Sequence, residues 1–120
     1  MKIITNYEIE PCFKVYKISE NIEHKYYYGK TRQSIKLRMI QHQERKLACD
    51  IHFSNIGWNN VICQVIEACK DENEMNFLES NKYISQGKLD PKNCLNIASG
   101  MVRFWDDDEK AYIIRIDDYY

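Results

Sequence analysis

The sequence has few of the residues that interrupt regular structure, with four glycines and two prolines among 120 residues. This excludes collagen-like repeats and disordered segments rich in proline or glycine. Hydrophobic residues make up 44% of the chain and charged residues 29%. That balance is typical of a folded protein with a hydrophobic core, and the length predicts a single domain.

Long apolar runs are also missing. The longest covers residues 61–63 and resumes after Gln64, whereas a membrane-spanning helix needs about 20 predominantly apolar residues. Residues 1–7 lack the apolar stretch and small-residue cleavage site of a secretory signal. We therefore expect no membrane passage and an intracellular location, in the cytoplasm or the nucleus.

The cysteines do not form the pairs that indicate a disulfide framework or a zinc site. They are odd in number, include no CxxC pair and have no accompanying histidine spacing typical of zinc: Cys12, Cys49, Cys63, Cys69 and Cys94. We expect reduced and mostly buried thiols, as in a reducing compartment.

The net charge of −1 gives little indication of a polyanionic partner, but the charge is unevenly distributed. Residues 14–46 contain nine basic and three acidic residues, whereas residues 101–120 contain six acidic and three basic residues. Because charges are screened over about 8 Å at physiological salt, a polyanion responds to local charge. The candidate nucleic-acid contacts are Lys14, Lys30, Arg32, Lys36, Arg38 and Arg45.

The first half of the chain predicts a β-hairpin followed by a helix. Residues 13–18 and 25–30 have strand patterns around a short polar loop, residues 19–24. Thr31 or Ser34 can cap a helix that runs to about residue 48. Its apolar residues at offsets of three and seven should dock on the hairpin: Leu37, Ile40 and Leu47.

The second half predicts a strand, a helix and a tail. Residues 50–60 form a loop before a strand at residues 61–66, where the lack of alternation indicates that both faces are covered. Asp71 and Glu74 have capping-box spacing, and Gly87 is a plausible helix end. Glu79 then lies at the edge of the buried stripe, partly shielded from water as a metal ligand should be.

These elements predict an α+β (α/β) sandwich with a small, mainly antiparallel three-stranded sheet flanked by helices. We expect residues 1–100 to form this domain and residues 101–120 to form an acidic C-terminal extension. Residues 111–116 are a candidate for one added strand there.

Six side chains in these elements form an ordered set, although each alone has an ordinary structural explanation. Tyrosine is common in strands, an i,i+4 polar pair is common on helix surfaces, and asparagine is common in turns. What distinguishes them is their joint order and spacing within one small domain: Tyr16, Tyr27, Arg38, His42, Glu79 and Asn96.

This set resembles the GIY-YIG nuclease family over about residues 13–100. The first motif reads Lys-Val-Tyr in place of Gly-Ile-Tyr, and the second reads Tyr-Tyr-Gly in place of Tyr-Ile-Gly, so both phenols are present. A shift of one residue in strand register would present Tyr26 in place of Tyr27. Tyr28 and Gly29 complete the second motif, and Lys30 and Thr31 follow it. The remaining positions resemble the family's arginine, its histidine or tyrosine, its metal-binding glutamate and its late asparagine, namely Arg38, His42, Glu79 and Asn96.

The resemblance implies a DNA endonuclease that leaves 5′-phosphate and 3′-hydroxyl ends. Glu79 would bind one Mg²⁺ or Mn²⁺ ion. Tyr16 would take a proton from the attacking water, assisted by Lys30 or by neutral His42.

The same resemblance implies roles for the other members of the set. Arg38 would face the phosphate oxygens, and Tyr27 would orient the phosphate or the water. Asn96 would hold the active-site turn or bind the substrate. The expected partner is duplex or branched DNA.

Two other functions remain open from the sequence. A non-catalytic nucleic-acid-binding module would retain the fold and bind without metal-dependent cleavage. A protein-interaction domain would use the acidic tail and the tyrosine-rich surface. A DNA-nicking assay with and without chelator distinguishes the three.

Overall fold

Strands and helices follow one another along the chain in a computed structural model, which describes residues 1–96 and the backbone of residues 101–106 and 111–116. The strands are β1 (Lys2–Ile4), β2 (Phe13–Glu20), β3 (Tyr26–Thr31), β4 (Val61–Cys69), β5 (Met101–Asp106) and β6 (Ala111–Ile116). The helices are α1 (Ile35–Glu44), α2 (Ala48–Ile56), α3 (Glu72–Phe77) and α4 (Ser85–Gly87), with a 3₁₀ turn at Trp58–Asn60 and a π-helical segment at Leu78–Ile84.

The main sheet has four strands in the order β1-β4-β2-β3. β1 pairs in parallel with β4, whereas the β2–β3 and β2–β4 pairs are antiparallel. The predicted α+β class is confirmed, but the prediction of a three-stranded antiparallel sheet is wrong because β1 adds a fourth, parallel strand. Three residues are too few to show a strand period, and their partner lies far along the chain.

β4 lies inside the sheet and is longer than predicted. Its buried residues alternate along one face, Val61, Cys63 and Val65, so the predicted covering of both faces is wrong. The register between β2 and β4 shifts between Val15 and Tyr16, which leaves Ile66 without a partner in the ladder. Such an irregularity changes the direction of nearby side chains. Here it falls beside Tyr16.

α1 packs against the sheet through a different face from the predicted one. Leu37 and Ile40 are 46% and 42% exposed. The residues of α1 that face the core are Ile35, Met39 and His42. The predicted cap at Ser34 is confirmed, because its Oγ accepts a hydrogen bond from the Leu37 N–H at 3.1 Å. The buried stripe contains a histidine, and a purely hydrophobic pattern does not detect such a face.

α2 occupies residues that were predicted to be the end of one helix and a loop. α1 ends at Glu44, and a new helix begins at Ala48, where the N-cap is Leu47 and makes no side-chain cap hydrogen bond. The buried Phe53 fixes α2 against the core, and Gly57, with a φ of 98°, ends it. α2 therefore carries the buried Asp50 into the region beneath α1.

The second long helical region starts as predicted but is not regular. Asp71 Oδ1 accepts a hydrogen bond from the Glu74 N–H at 2.8 Å, which confirms the predicted cap. After α3 the backbone becomes π-helical, and Glu79 is the second residue of that segment. Tyr83 of the segment packs on Tyr28 of β3, with ring centroids 5.1 Å apart. A π-helical turn shifts the phase of the side chains that follow it and is frequent at functional sites.

The β2–β3 hairpin loop is anchored by the buried Glu20. Its Oε1 accepts hydrogen bonds from the N–H groups of Glu23 at 2.7 Å and His24 at 2.6 Å. Its Oε2 lies 2.9 Å from Nε2 of His52 in α2. The buried Glu20 carboxylate and the half-buried His52 imidazole thus form a structural pair at the looped end of the hairpin.

The C-terminal extension contains two strands, where one was predicted. β5 and β6 pair with each other as a separate two-stranded antiparallel sheet. The predicted strand at residues 111–116 coincides with β6, and β5 was not predicted. The acidic residues 107–109 lie outside the described residues.

All five cysteines are unpaired. In the described part of the chain, no helix has the length and apolar character to cross a membrane.

Candidate active site

Tyr16 lies at the centre of a group of polar side chains drawn from β2, β3 and α1. Its side chain is fully buried, and its hydroxyl oxygen accepts a hydrogen bond from Arg38 Nε at 3.1 Å. The same oxygen lies 2.7 Å from Nε2 of His42. Arg38 and His42 are one helical turn apart, so a single face of α1 presents both groups to one phenol.

Gly29 of β3 allows the Tyr16 side chain to approach the backbone of β3 closely. The two residues are partners in the β2–β3 ladder, and a Cβ atom at position 29 would overlap the Tyr16 ring and hydroxyl. The position is therefore closed to any larger residue unless the phenol moves.

We expect Gly29→Ala to displace the Tyr16 ring from His42 and Arg38. Overpacking of this kind costs about 1–3 kcal/mol, so the free energy of unfolding should fall by that amount in denaturant titrations. The rate of DNA cleavage by this variant should also fall when it is measured without denaturant, under conditions in which the variant is folded. Gly87→Ala is the matched control, because a Cβ there would overlap Cys94, away from Tyr16. A similar stability loss without loss of cleavage is expected for that variant.

The register of β3 places Tyr27, and not Tyr26, beside the group around Tyr16. The Tyr27 ring contacts the His42 ring edge-on, with centroids 5.8 Å apart. The hydroxyl of Tyr26 instead donates to Asp90 at 2.9 Å. Neighbouring residues of a strand point to opposite faces, so only one of the two phenols can face α1.

His42 is fully buried and contacts Asp50, a residue that the sequence did not indicate. Nδ1 of His42 lies 2.5 Å from Asp50 Oδ1, and the exposed fraction of Asp50 is 1%. Arg45 Nε lies 3.3 Å from the other carboxylate oxygen, Oδ2. Eight positions and a helix break separate His42 from Asp50, so no single periodic pattern connects them. Asp50 also lies at the start of a segment that was predicted to be a loop, so no sequence signal marked it as a site residue.

Burial controls the protonation of the central groups. It raises the pKa of the Tyr16 phenol, and the charge of Arg38 only partly opposes this. It lowers the pKa of His42, and hydrogen bonding to Asp50 opposes that shift. At neutral pH both the phenol and the imidazole are therefore neutral.

Glu79 lies near the same group but contacts a different cation. Its exposed fraction is 7%, and Oε1 lies 3.6 Å from the Lys30 ammonium. That ammonium also donates to Asn76 Oδ1 at 2.7 Å. Burial raises the pKa of the Glu79 carboxyl, while the positive charges of Lys30 and Arg38 oppose the shift. Arg38 is thus close enough to act on both Glu79 and Tyr16.

The donor set around Glu79 fits a hard divalent cation. The carboxylate of Glu79 and the amide oxygen of Asn76 both face the ammonium of Lys30, so this position already favours a positive charge. Oxygen ligands and a single carboxylate are typical of Mg²⁺ sites that take other ligands from water and substrate.

Two further groups of possible ligands occur among the described residues, and both are engaged in other contacts. One comprises His42, Cys49 and Asp50, and the other comprises Glu20, Glu23 and His52. Glu79 belongs to neither group. Each buried member makes at least one hydrogen bond within the fold, so we assign no metal to either group.

Asn96 holds the chain beside β3. Its Oδ1 accepts a hydrogen bond from the Tyr28 N–H at 2.7 Å, and its Nδ2 donates to the Tyr28 carbonyl at 2.8 Å. The side chain therefore bonds to the backbone of the strand that carries Tyr27 and Lys30. Of the two roles left open by the sequence, this geometry favours holding the turn.

The basic residues predicted to contact nucleic acid differ in accessibility. Arg32 and Lys36 are exposed, and the Arg32 guanidinium lies 5.1 Å from the Phe13 ring centroid. Lys14 is 1% exposed, and its ammonium donates to the carbonyls of Cys12 and Gln33. We therefore remove Lys14 from the predicted contacts, because a charge count does not distinguish a buried ammonium from an exposed one. The guanidinium of Arg45 faces Asp50.

Comparison with known protein families found a match. The family model described as the GIY-YIG catalytic domain matches residues 12–93, a span that includes β2, β3, α1, α2, β4 and the helix that carries Glu79. No curated protein and no solved structure matches the chain significantly. Because the matched span is more than half of the chain, the protein belongs to the GIY-YIG catalytic domain family.

Proposed function

We propose that this protein is a metal-dependent DNA endonuclease in which Tyr16 and His42 together remove a proton from the attacking water. Membership of the family implies nuclease activity in general. The observation that supports the finer proposal is the position of the Tyr16 hydroxyl, which contacts a neutral imidazole on one side and a guanidinium on the other.

The proton moves in two coupled transfers. The attacking water gives a proton to the Tyr16 oxygen while the Tyr16 proton passes to Nε2 of His42, 2.7 Å away. A free phenolate is costly here, because burial raises the pKa of Tyr16. Transfer to His42 avoids a stable phenolate and leaves an imidazolium.

Arg38 has to change partners before water can reach Tyr16. The phenol is fully buried and its oxygen is covered by Arg38 Nε. A phosphate is a stronger acceptor than a phenol, and a guanidinium binds two phosphate oxygens in a planar geometry. Binding of DNA would draw Arg38 to the phosphate, which exposes an acceptor site on the Tyr16 oxygen. Water is thus admitted when the substrate is in place.

The bond changes follow from this arrangement. The water oxygen bonds to phosphorus, the bond from phosphorus to the 3′ oxygen breaks, and the 3′ oxygen keeps the electron pair and takes a proton from solvent. A divalent ion held by Glu79, Mg²⁺ or Mn²⁺, would supply positive charge for the phosphate and the leaving oxygen. Lys30 and Arg38 add positive charge from the chain itself. The products carry 5′-phosphate and 3′-hydroxyl ends.

Basic residues around the site form the proposed DNA-binding surface. The proposed phosphate contacts are the exposed Arg32 and Lys36 and the half-buried Lys30 and Arg38. Arg45 has a smaller share, because its guanidinium faces Asp50. Tyr27 would orient the phosphate or the water, and Asn96 would position the strand that carries Tyr27.

A plasmid-nicking assay tests the proposal. We expect supercoiled DNA to be nicked or cut in Mg²⁺ or Mn²⁺ and to remain intact when a chelator removes the ions. The new ends should accept ligation without prior phosphorylation, since they carry 5′-phosphate. Parallel reactions with branched DNA, single-stranded DNA and RNA define the substrate class. Binding without cleavage in every case would contradict the proposal and favour a non-catalytic nucleic-acid-binding module.

A further inference from the structure

We propose that Asp50 is a positioning residue, which fixes His42 in the only neutral tautomer that can accept the Tyr16 proton. This inference rests on the proposed function, but its central claim concerns the position of one hydrogen atom and can be measured without DNA. The observations that carry it are the two short contacts of the His42 ring and the burial of all three side chains.

The contact between His42 and Asp50 requires a hydrogen on Nδ1. The two atoms are 2.5 Å apart, and a lone pair on nitrogen facing a carboxylate oxygen at that distance would be repelled. A neutral imidazole has one N–H, so Nε2 then carries the lone pair. That lone pair faces the Tyr16 hydroxyl at 2.7 Å, which is the arrangement that proton transfer requires.

Arg45 presents the competing arrangement. One of its terminal nitrogens lies 2.8 Å from Nδ1 of His42, and arginine can only donate. If Arg45 donated to Nδ1, the ring hydrogen would move to Nε2, and His42 could not accept a proton from Tyr16. Asp50 makes the shorter contact and therefore decides the tautomer.

The charge of Asp50 also offsets the cost of protonating a buried ring. Burial lowers the pKa of His42, so an imidazolium in this position needs a compensating negative charge. The groups that face the ring are the Tyr16 and Tyr27 phenols, the cations Arg38 and Arg45, and Asp50. Asp50 is the anion of that set.

Arg45 in turn balances Asp50. The Oδ2 atom of Asp50 is buried and has no hydrogen-bond partner among the described residues. Arg45 Nε, 3.3 Å away, provides the nearest opposite charge. A guanidinium beside a buried carboxylate provides the opposite charge that burial away from water requires.

The chain contains a matched control on the same helix. His52 follows Asp50 by two positions in α2, and it pairs with the buried Glu20 at 2.9 Å. Glu20→Gln and Asp50→Asn each remove one buried carboxylate from one imidazole. Only Asp50→Asn alters the ring that contacts Tyr16.

Nitrogen-15 NMR of the histidine rings tests the tautomer directly. The chain has three histidines, so replacement of His24 and His52 assigns the His42 signals. We expect the Nδ1–H tautomer for His42 in the native protein, with a strongly deshielded Nδ1 proton. Asp50→Asn should move His42 toward the Nε2–H form, and Glu20→Gln should leave it unchanged. A native protein in the Nε2–H form would overturn the proposal even if Asp50→Asn failed to fold.

Cleavage kinetics provide the second measurement. We expect Asp50→Asn to reduce kcat by roughly 100-fold or more, the usual range for general acid–base assistance, with KM for DNA unchanged. Glu20→Gln should retain the native kcat, and thermal unfolding of both variants checks the fold. An active native enzyme whose Asp50→Asn variant keeps its rate and its His42 tautomer would overturn the role of Asp50. A native protein with no nuclease activity would refute the proposed function, and the NMR result would still decide the tautomer.

Discussion

Replacing Glu79 with glutamine should reduce metal-dependent DNA cleavage by roughly 1,000-fold or more. A bound divalent ion contributes several kcal/mol to the stabilisation of a phosphoryl transition state, and each 1.4 kcal/mol corresponds to about tenfold in rate. Glutamine keeps the shape of the side chain and one oxygen but loses the negative charge. Initial rates of plasmid nicking in Mg²⁺ and Mn²⁺ measure the change.

The same variant should not be less stable at neutral pH. Burial raises the pKa of Glu79, so the folded protein holds the carboxyl proton more tightly than the unfolded chain does. The stabilising contribution of that proton is complete below the unfolded pKa and is lost as the pH rises through the folded pKa. At pH 7 the ionised carboxyl therefore opposes folding, and Glu79→Gln should unfold at the same or a higher temperature. Divalent ions should raise the Tm of the native protein but not that of the variant.

Glu72→Gln is the control for the loss of one negative charge. Glu72 is exposed in the first turn of α3, on the same helical region as Glu79. We expect this variant to cleave at the native rate and to keep the Tm increase on addition of metal ions. If Glu79→Gln also kept both properties, the metal would bind elsewhere.

The elements that could be predicted from the sequence are those whose signals are local. The hairpin has aromatic and β-branched residues around a polar loop, and the second helical region begins at a side-chain cap on Asp71. Such signals need no knowledge of the rest of the fold. The order of Tyr16, Tyr27, Arg38 and His42 along these elements was visible for the same reason.

The elements that could not be predicted depend on distant partners. β1 is three residues long and exists because it pairs with β4, about sixty positions away. α2 begins without a side-chain cap, so its helical state depends on packing of Phe53 in the core. Likewise, no local sequence pattern indicated the π-helical turn that contains Glu79.

The contacts of buried polar groups were the least predictable part of the site. Leu37 and Ile40 appeared to define the inner face of α1, yet the true face includes His42, because Asp50 and Tyr16 satisfy its ring. Lys14 looked like a phosphate contact, yet backbone carbonyls bind its ammonium. A polar residue can be buried where partners exist, and the partners are known only from the fold.

Replacing Tyr16 with phenylalanine should reduce cleavage by roughly 100- to 10,000-fold, the range over which positioned proton transfer contributes to rates. The ring stays in place beneath Gly29, but the group that connects water to His42 is lost. Single-turnover cleavage at saturating protein measures the chemical step and is independent of DNA affinity. The loss should persist at high pH, since phenylalanine has no proton to release.

The stability cost of this variant should be moderate. Tyr16→Phe leaves Nε2 of the buried His42 without its partner and removes the acceptor of Arg38 Nε. An unpaired buried polar group costs about 1–3 kcal/mol, so the free energy of unfolding should fall by that amount while the fold persists. Denaturant titration measures this fall. Cleavage by the native protein and the variant is then compared under conditions in which both are fully folded.

Tyr26→Phe separates the chemical role of the hydroxyl from its structural role. The Tyr26 hydroxyl donates to Asp90, and neighbouring strand residues face opposite sides of the sheet, so this bond lies away from His42. Its loss should lower stability by about 1 kcal/mol, the usual contribution of one hydrogen bond, and leave the single-turnover rate unchanged. Native cleavage by Tyr16→Phe would contradict the proposed proton transfer. Tyr16 and Tyr26 lie on the two strands of the same hairpin, but of these two phenols only Tyr16 contacts the imidazole of His42. An equal loss of rate in Tyr26→Phe would therefore assign the effect to the hairpin as a whole.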